Sequence, residues 1–146
     1  MNKDLQNKLL EHFKSSEIVY ANGVQNMNEH WDIQLNQRFD MRKLKKVRRG
    51  DSEVNENFHY VELKNVQGKN GWLYGKTNFF AFETYDYWII IEKEKLQDFI
   101  KNKCKDKIRC ETPTLYQLYT RKNRMDIIVL VKTIDLMAIA KTVINK

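Results

Sequence analysis

The chain has 146 residues, of which 42% are hydrophobic and 12% aromatic, so it has the length and apolar content of one domain over residues 1–146. Its five glycines and one proline argue against long flexible linkers, and the lack of an apolar run near the required length of roughly 20 residues excludes a membrane-spanning helix. The net charge of +7 suggests an anionic partner such as nucleic acid, with a lysine-rich solvated surface as the competing interpretation.

The N-terminal half is predicted to contain one helix and several strands. Leucines and a phenylalanine recur at helical spacing over residues 4–13, which predicts a helix. The short apolar run at residues 18–20 fits a strand or a simple anchoring contact, and the polar residues 21–30 predict a loop. Period-two alternation predicts three longer strands, at residues 31–36, 39–47 and 58–66.

The spacing of these strands predicts a three-stranded antiparallel meander over residues 31–66. Gly50-Asp51 lies midway between Asp40 and Glu62, so two strands that fold back there would place the two carboxylates opposite each other. Residues 48–57 are rich in turn-forming side chains and are expected to form the hairpin tip.

The C-terminal half is predicted to add more strands and helices. Apolar runs at residues 79–82 and 87–91 predict a buried hairpin. An amphipathic helix is expected over residues 93–103, followed by a short helical turn over residues 114–119. The last predicted elements are a strand and a helix, at residues 126–131 and 134–144. The predicted fold class is α/β, of the α+β kind with a mixed sheet.

Three charged side chains are predicted to share one patch of this fold. Glu62 and Lys64 are two positions apart on one strand, so they share a face, and Asp40 is expected opposite them. Carboxylate oxygens of this kind suit Mg²⁺ or Mn²⁺, and a neighbouring lysine could orient a water molecule beside a phosphate. An isolated Glu-x-Lys sequence is more often a charge pair than a catalytic centre, and that interpretation stays open.

The pattern of Asp40 followed by Glu62-Leu63-Lys64 resembles the signature of the PD-(D/E)xK nuclease superfamily. The resemblance implies a restriction-endonuclease-like core with an N-terminal helix, an antiparallel meander, and later strands and helices. It also implies metal-dependent hydrolysis of nucleic-acid phosphodiester bonds. Asp40 and Glu62 would then be catalytic metal ligands, and Lys64 would position the attacking water.

A longer resemblance covers most of the chain and is to a group of small phage and bacterial proteins of uncharacterised function. The matching segments are Glu29-His30-Trp31-Asp32, Val61 to Val66, Gly68, Gly71 to Gly75 and Ala81-Phe82-Glu83. This resemblance implies a phage or mobile-element origin. Because the N terminus shows no secretory signal pattern, the expected location is cytoplasmic, which is the host-cell cytoplasm if a phage encodes the chain.

Three further side chains are candidates for the same site. Asp32 lies near Asp40 if the first two strands pair around residue 36, although a hydrogen bond to a turn is equally compatible with its position. Glu11 on the first helix is a candidate additional metal ligand or a solvated helix charge. Gln67 is a candidate contact to substrate or water, or it only closes a turn.

Two basic clusters are candidate nucleic-acid contacts. The first lies beside the predicted metal site and comprises Arg42, Lys43, Lys45, Lys46, Arg48 and Arg49. The second follows Tyr116 and Tyr119 and comprises Arg121, Lys122 and Arg124. Positive charge beside aromatic rings suits phosphate neutralisation and base stacking, whereas a solvated basic loop is the competing interpretation.

The leading functional hypothesis is a Mg²⁺-dependent or Mn²⁺-dependent nuclease that acts on nucleic acid, with DNA favoured over RNA. A homodimer would suit cleavage of both strands of a duplex. The alternative is a catalytically inactive nuclease-fold protein that binds nucleic acid or inhibits a host defence protein. In that case the basic clusters are the functional surface, and Glu62 and Lys64 form a structural ion pair.

Overall fold

The computed structural model describes residues 3–12, 19–35, 37–109 and 113–146. These residues form two β-sheets, four α-helices and one short 3-10 helix, which confirms the expected mixed α/β fold class. Within those ranges, no helix has both the length and the apolar character needed to cross a membrane.

The strands, in chain order, are β1 (Val19–Tyr20), β2 (Ile33–Gln34), β3 (Arg38–Arg42), β4 (Phe58–Lys64), β5 (Phe79–Glu83), β6 (Tyr87–Glu92), β7 (Lys105–Arg109), β8 (Gln117–Thr120), β9 (Ile127–Lys132) and β10 (Thr142–Asn145). The α-helices are α1 (Lys3–His12), α2 (Gly23–Glu29), α3 (Lys93–Lys103) and α4 (Thr133–Ala138), and the 3-10 helix covers Trp72–Tyr74.

The two sheets divide the strands unequally. Six strands form the larger sheet in the order β1-β2-β3-β5-β6-β10, and four form the smaller sheet in the order β4-β9-β8-β7. In the larger sheet β3 runs parallel to β5, and every other neighbouring pair is antiparallel. In the smaller sheet β7 and β8 are parallel, and β9 is antiparallel to both of its neighbours.

The predicted meander over residues 31–66 is wrong in its third strand. The first two strands pair antiparallel as expected, with Ile33 opposite Phe39. The third, β4, does not join them, and it pairs with β9 in the other sheet. Asp40 and Glu62 therefore lie on different sheets and are not cross-strand neighbours.

The reason lies in residues 43–57, which connect β3 to β4 without forming a tight hairpin. Near the start of this connection, the backbone N–H of Leu44 donates to the carboxylate of Glu83, on the larger sheet, at 2.9 Å. Near its end, the Thr133 hydroxyl donates to the Glu56 carbonyl at 2.6 Å, beside the smaller sheet. Only a tight hairpin fixes which residues of two successive strands pair, and this connection is long and attached to both sheets. The symmetric spacing about residue 51 therefore did not predict the partner of β4.

The predicted loop over residues 21–30 is also wrong, because α2 forms there. Asn22 and Gln25 build a reciprocal capping box at its first turn, with the Asn22 side chain accepting from the Gln25 N–H at 2.8 Å. The helix buries none of its residues, so it has no apolar periodicity that a sequence pattern could show.

Two C-terminal predictions are wrong because non-local pairing decides the structure. The predicted helical turn over residues 114–119 gives way to β8, in which Tyr119 pairs with Ile128 of β9. The predicted helix over residues 134–144 ends at Ala138, and the chain then forms β10 on the edge of β6.

Elements with strong local signals are confirmed. The hairpin predicted at residues 79–91 is β5 and β6, and the helix predicted over residues 93–103 is α3. The late strand corresponds to β9 and the N-terminal helix to α1, although Phe13 at the predicted end of that helix is outside the described residues. The predicted second strand begins at Arg38 and ends early, at Arg42.

Hydrophobic cores lie on both faces of the larger sheet. The outer core lies between this sheet and α1, and it includes Leu5, Leu9, Phe39, Phe79, Trp88 and Ile90. The inner core lies between the two sheets, with α3 and α4 packed against it, and it includes Val61, Phe80, Phe82, Leu96, Val129 and Leu136.

The alternation of side chains along β3 places charged groups inside the protein. Phe39 and Met41 belong to the outer core, so the residues between and after them point to the opposite face. Asp40 is in register with Phe80 on the neighbouring strand and therefore faces the inner core, between the sheets. The functional candidates of β3 are thus interior groups, not surface groups.

Candidate nucleic-acid interface

Asp40 is a fully buried carboxyl group, with 0% of its surface exposed. Its Oδ1 accepts a hydrogen bond from Arg42 Nη2 at 2.6 Å. Burial raises the pKa of Asp40 to about 7, the Arg42 charge opposes that rise, and the neighbouring Asp32 carboxyl adds to it. Burial therefore favours the protonated form of this carboxyl at pH values where an exposed aspartate is charged.

Asp32 sits beside Asp40, as expected from the pairing of β2 with β3. Its Oδ2 accepts from the Met41 N–H at 2.7 Å, and its Oδ1 accepts from Asn26 Nδ2 at 2.9 Å. Asp40 Oδ2 is buried and, among the described residues, has no donor. The neighbouring Asp32 carboxyl raises the pKa of Asp40 through its charge and through a side-chain hydrogen bond.

Arg42 links the interior acids to the surface. Its guanidinium lies over the Trp72 ring, 4.6 Å from the ring centroid, while Nη2 holds Asp40. The same positive charge opposes the rise in the pKa of Glu62 that burial causes, and Glu62 is on the facing sheet. Arg42 therefore pairs with Asp40 on its own strand and acts by its charge on Glu62 across the two sheets.

Glu62 is half-buried on β4 and is held in place by the glycine-containing segment before the 3-10 helix. Its Oε1 accepts from the Trp72 N–H at 3.4 Å, and the Gly71 N–H donates to the Leu63 carbonyl at 2.8 Å. Burial raises the pKa of Glu62, with a smaller contribution from Asp126. The segment packs so tightly that a Cβ atom on Gly71 would lie 2.5 Å from the Glu62 carbonyl oxygen.

Lys64 is exposed at the end of β4. The pairing of β4 with β9 shifts register between Glu62 and Lys64, which interrupts the strand alternation that the prediction of a shared face assumed. Among the ion pairs of the described residues, none involves Lys64, so the alternative of a Glu62–Lys64 ion pair is wrong.

The donor set does not fit a Mg²⁺ or Mn²⁺ site on Asp40 and Glu62. Mg²⁺ keeps several waters and needs accessible carboxylate oxygens, whereas Asp40 has no exposed surface and already binds Arg42. Across the part of the chain that the structure describes, no three His, Cys, Asp or Glu side chains converge in a metal-binding group.

The two remaining candidates do not join this cluster. Glu11 is exposed on α1, and α1 packs through Leu5 and Leu9 on the opposite, outer face of the larger sheet. Gln67 is exposed in a turn, where its N–H donates to the Asn65 side chain at 3.0 Å.

The main feature of this region is a cleft of about 790 Å³, which we call the basic cleft. Its wall from the connection between β3 and β4 carries Lys45, Lys46, Arg48 and Arg49, and its wall from the turn between β8 and β9 carries Arg121, Lys122 and Arg124. Among its described lining residues, Glu62 is the single acid. Two basic clusters that the sequence predicted separately thus face one cleft.

The other two residues of the first basic cluster lie next to the basic cleft. Arg42 and Lys43 line a smaller pocket of about 210 Å³, which shares Lys45 and Lys46 with the basic cleft. The predicted nucleic-acid residues therefore form one continuous positive surface.

Most of this positive charge has no ion-pair partner among the residues that the structure describes. Arg121 Nε donates to the buried Asp126 carboxylate at 2.9 Å, whereas the other six cations of the basic cleft make no ion pair with any described residue. Arg48 and Arg121, one from each wall, both act on the hydroxyl of Tyr60, where their charges oppose the rise in its pKa that burial causes. The two walls are therefore close enough to act together on one anion.

Sequence reasoning missed two residues of this site. Asp126 is 1% exposed and holds Arg121 in an ion pair. Its position directly before an apolar strand was the sequence feature that could have indicated it. Trp72 supports Arg42, but its position depends on the packing of the two sheets, which no local pattern indicates.

Comparison of the chain with protein-family models, with curated proteins and with solved structures finds no match. The resemblance to PD-(D/E)xK nucleases and to the small phage and bacterial proteins stays a prediction.

The first testable prediction concerns the close contact at Gly71. Gly71→Ala should lower the free energy of unfolding by about 1–3 kcal/mol, because the new methyl group overlaps the backbone and side chain of Glu62. Gly50→Ala is the matched control, since a Cβ atom there meets nothing within 4 Å. Denaturant unfolding of both variants checks the prediction, and equal stabilities would show that the segment does not pack on Glu62 as described.

The second prediction uses the raised pKa of Asp40. A carboxyl whose folded pKa is about 7 favours folding at low pH, and this contribution is lost as the pH rises from about 4 to 7. Relative to Asp40→Asn, the free energy of unfolding of the wild type should therefore fall over that range, by up to about 4 kcal/mol for a shift of three pKa units.

Denaturant unfolding at several pH values measures this difference. Asp98→Asn, at an exposed position of α3, is the control. It should not reproduce the change of stability with pH, because burial of the carboxyl causes that change. A difference between wild type and Asp40→Asn that stays constant with pH would contradict the raised pKa of a buried Asp40 carboxyl.

Proposed function

We propose that this protein binds nucleic acid in the basic cleft. The observation that carries the proposal is the convergence of two basic segments, far apart in sequence, on one cleft, where six cationic side chains make no ion pair with any described residue. The side chains of those six are exposed, so they can neutralise phosphate without first breaking an internal ion pair.

A polymer of phosphates suits this surface better than a single small anion. The cations are distributed over both walls of the basic cleft and continue into the adjoining pocket through Lys45 and Lys46. An extended chain of phosphates can contact many of them at once, and each contact releases a condensed counterion. The preference for DNA over RNA stays a prediction from the sequence. An acidic protein surface, such as that of a host defence protein, is the alternative partner.

Hydrolysis of the bound nucleic acid stays a prediction. Glu62 lies in the basic cleft, where a bound phosphodiester would be near its carboxylate, but Asp40 is buried on Arg42 and does not supply an accessible second ligand. The function that the geometry supports best is therefore binding.

The third prediction tests binding by its dependence on salt and charge. The affinity of the wild type for a short DNA duplex should fall steeply as salt rises, because binding releases counterions. Lys45→Glu with Lys46→Glu should weaken binding and reduce the slope of log affinity against log salt by about two. Fluorescence anisotropy titrations at several salt concentrations measure both quantities.

The matched control for this variant reverses the same number of charges outside the basic cleft. The variant Lys95→Glu with Lys101→Glu, on the exposed side of α3, has the same net charge as the cleft variant. It should keep most of the affinity of the wild type for DNA. Equal losses in the two double variants would show that net charge alone drives binding. No binding at low salt would favour the acidic-protein partner.

The same DNA, incubated with Mg²⁺, Mn²⁺ or EDTA, tests the predicted nuclease activity. Cleavage that EDTA and Glu62→Ala both abolish would support hydrolysis, and would require a metal arrangement other than the one on Asp40. Intact DNA in every condition would leave binding as the function.

A further inference from the structure

We infer that the basic cleft recognises the sugar-phosphate backbone and not the bases, so that its substrate class is nucleic acid of any base sequence. This inference rests on the proposed function and deepens it. It follows from what the aromatic side chains of the basic cleft do within the protein.

Base recognition on a single strand needs an aromatic ring with an open face, on which a base can stack. The aromatic rings among the described lining residues are Tyr60, Trp72 and Tyr119. Tyr119 is only 2% exposed and Trp72 only 8% exposed, so neither presents a ring face of useful area. Tyr119 therefore does not provide the base stacking that the sequence predicted beside the second basic cluster.

Trp72 is engaged on several sides by the protein itself. The Arg42 guanidinium covers its ring at 4.6 Å, and Arg42 is in turn held by the ion pair to buried Asp40. Phe80 packs against the same indole at 5.2 Å between ring centroids, in an edge-to-face arrangement. A base could stack on Trp72 only by displacing Arg42 from Asp40.

Tyr60 has a structural task in the basic cleft. Its hydroxyl donates to the carbonyl of Val47, which lies in the chain between Lys46 and Arg48. This hydrogen bond ties the basic segment of the connection to β4 and so sets the position of the cations on that wall. Tyr60 therefore acts as a positioning residue for phosphate contacts.

Tyr116, the other aromatic expected beside the second basic cluster, is also occupied. Its hydroxyl donates to the Asp135 carboxylate, and its ring packs edge-on against Phe99 at 6.0 Å. It does not line the basic cleft.

The polar lining points to the same substrate class. Among the described lining residues there is no Asn or Gln, the side chains that pair with adenine edges through two hydrogen bonds. The exposed lysines and arginines of the basic cleft bind phosphate oxygens, which every nucleotide of a nucleic acid presents. Because a duplex carries more charge per unit length than a single strand, it should be bound at least as tightly.

The experiment compares three DNA probes of equal length by fluorescence anisotropy: a duplex, a single strand of mixed sequence, and a single strand whose bases are all replaced by abasic tetrahydrofuran units. The two single strands should bind within about threefold of each other, because the phosphates are the same. The duplex should bind as tightly or more tightly. If bases stack in the basic cleft, the abasic strand should instead bind about tenfold or more weakly than the strand with bases.

The variant Tyr60→Phe separates positioning from stacking, because it keeps the ring and removes the hydroxyl that holds Val47. If Tyr60 positions the cations, the variant should weaken binding of all three probes by a similar factor. If Tyr60 is a stacking platform, the variant should bind the base-containing single strand as the wild type does, which would overturn the inference.

Failure of the inference and failure of the proposed function give different results. If the base-containing strand binds tightly and the abasic strand does not bind, backbone recognition is wrong and nucleic-acid binding still stands. A lack of binding to all three probes at low salt overturns the proposed function itself.

Discussion

The ion pair between Asp40 and Arg42 is the interaction on which the rest of this site depends. Asp40 has no exposed surface, and a buried carboxylate is costly unless a partner compensates its charge. Arg42 supplies that charge from the same strand, two positions along, while the neighbouring Asp32 carboxyl raises the pKa of Asp40. With its guanidinium fixed in this way, Arg42 lies over Trp72, and its charge also opposes the rise in the pKa of Glu62. An arginine thus acts on both of the acids that the sequence suggested would meet a metal ion, by direct contact with Asp40 and by its charge on Glu62.

The departure from the expected meander is what creates the basic cleft. Because β4 joins β9 and not β3, the connection over residues 43–57 crosses from one sheet to the other. That crossing brings the basic run after Arg42 to the turn between β8 and β9, where the second basic cluster lies. In a tight hairpin between β3 and β4, the same lysines and arginines would have formed a solvated tip, which was the competing interpretation of their charge.

How far the sequence predicted this structure depends on whether the signal was local. The helix at residues 93–103 and the hairpin at residues 79–91 were predicted because their periodicity and apolar runs lie within the segments themselves. The partner of β4 could not be predicted in this way, since both β3 and β9 offer apolar strands and the choice depends on how the sheets pack. The helix α2 had a local signal in Asn22 and Gln25, which have the spacing of a capping box, but it has no apolar face to accompany that signal.

For the site, the residue types were predicted and their arrangement was not. Every cation predicted for nucleic-acid binding lines the basic cleft or its adjoining pocket, because charge clusters are visible in sequence. Asp40 is paired with Arg42, and the charge of Arg42 also acts on Glu62, but the two acids lie on different sheets and are not neighbours on one. The burial of Asp40 decides whether it can bind a metal, and burial depends on the inner core, which forms only when the two sheets pack together.

The central claim is that one nucleic-acid molecule contacts both walls of the basic cleft, and the most direct test is photo-crosslinking followed by peptide mapping. DNA with photoreactive groups along its backbone should crosslink within residues 45–49 and within residues 121–124 in the same complex. Crosslinks confined to other surfaces, such as the lysines of α3, would contradict the account, because binding would then occur without the convergence of the two basic segments.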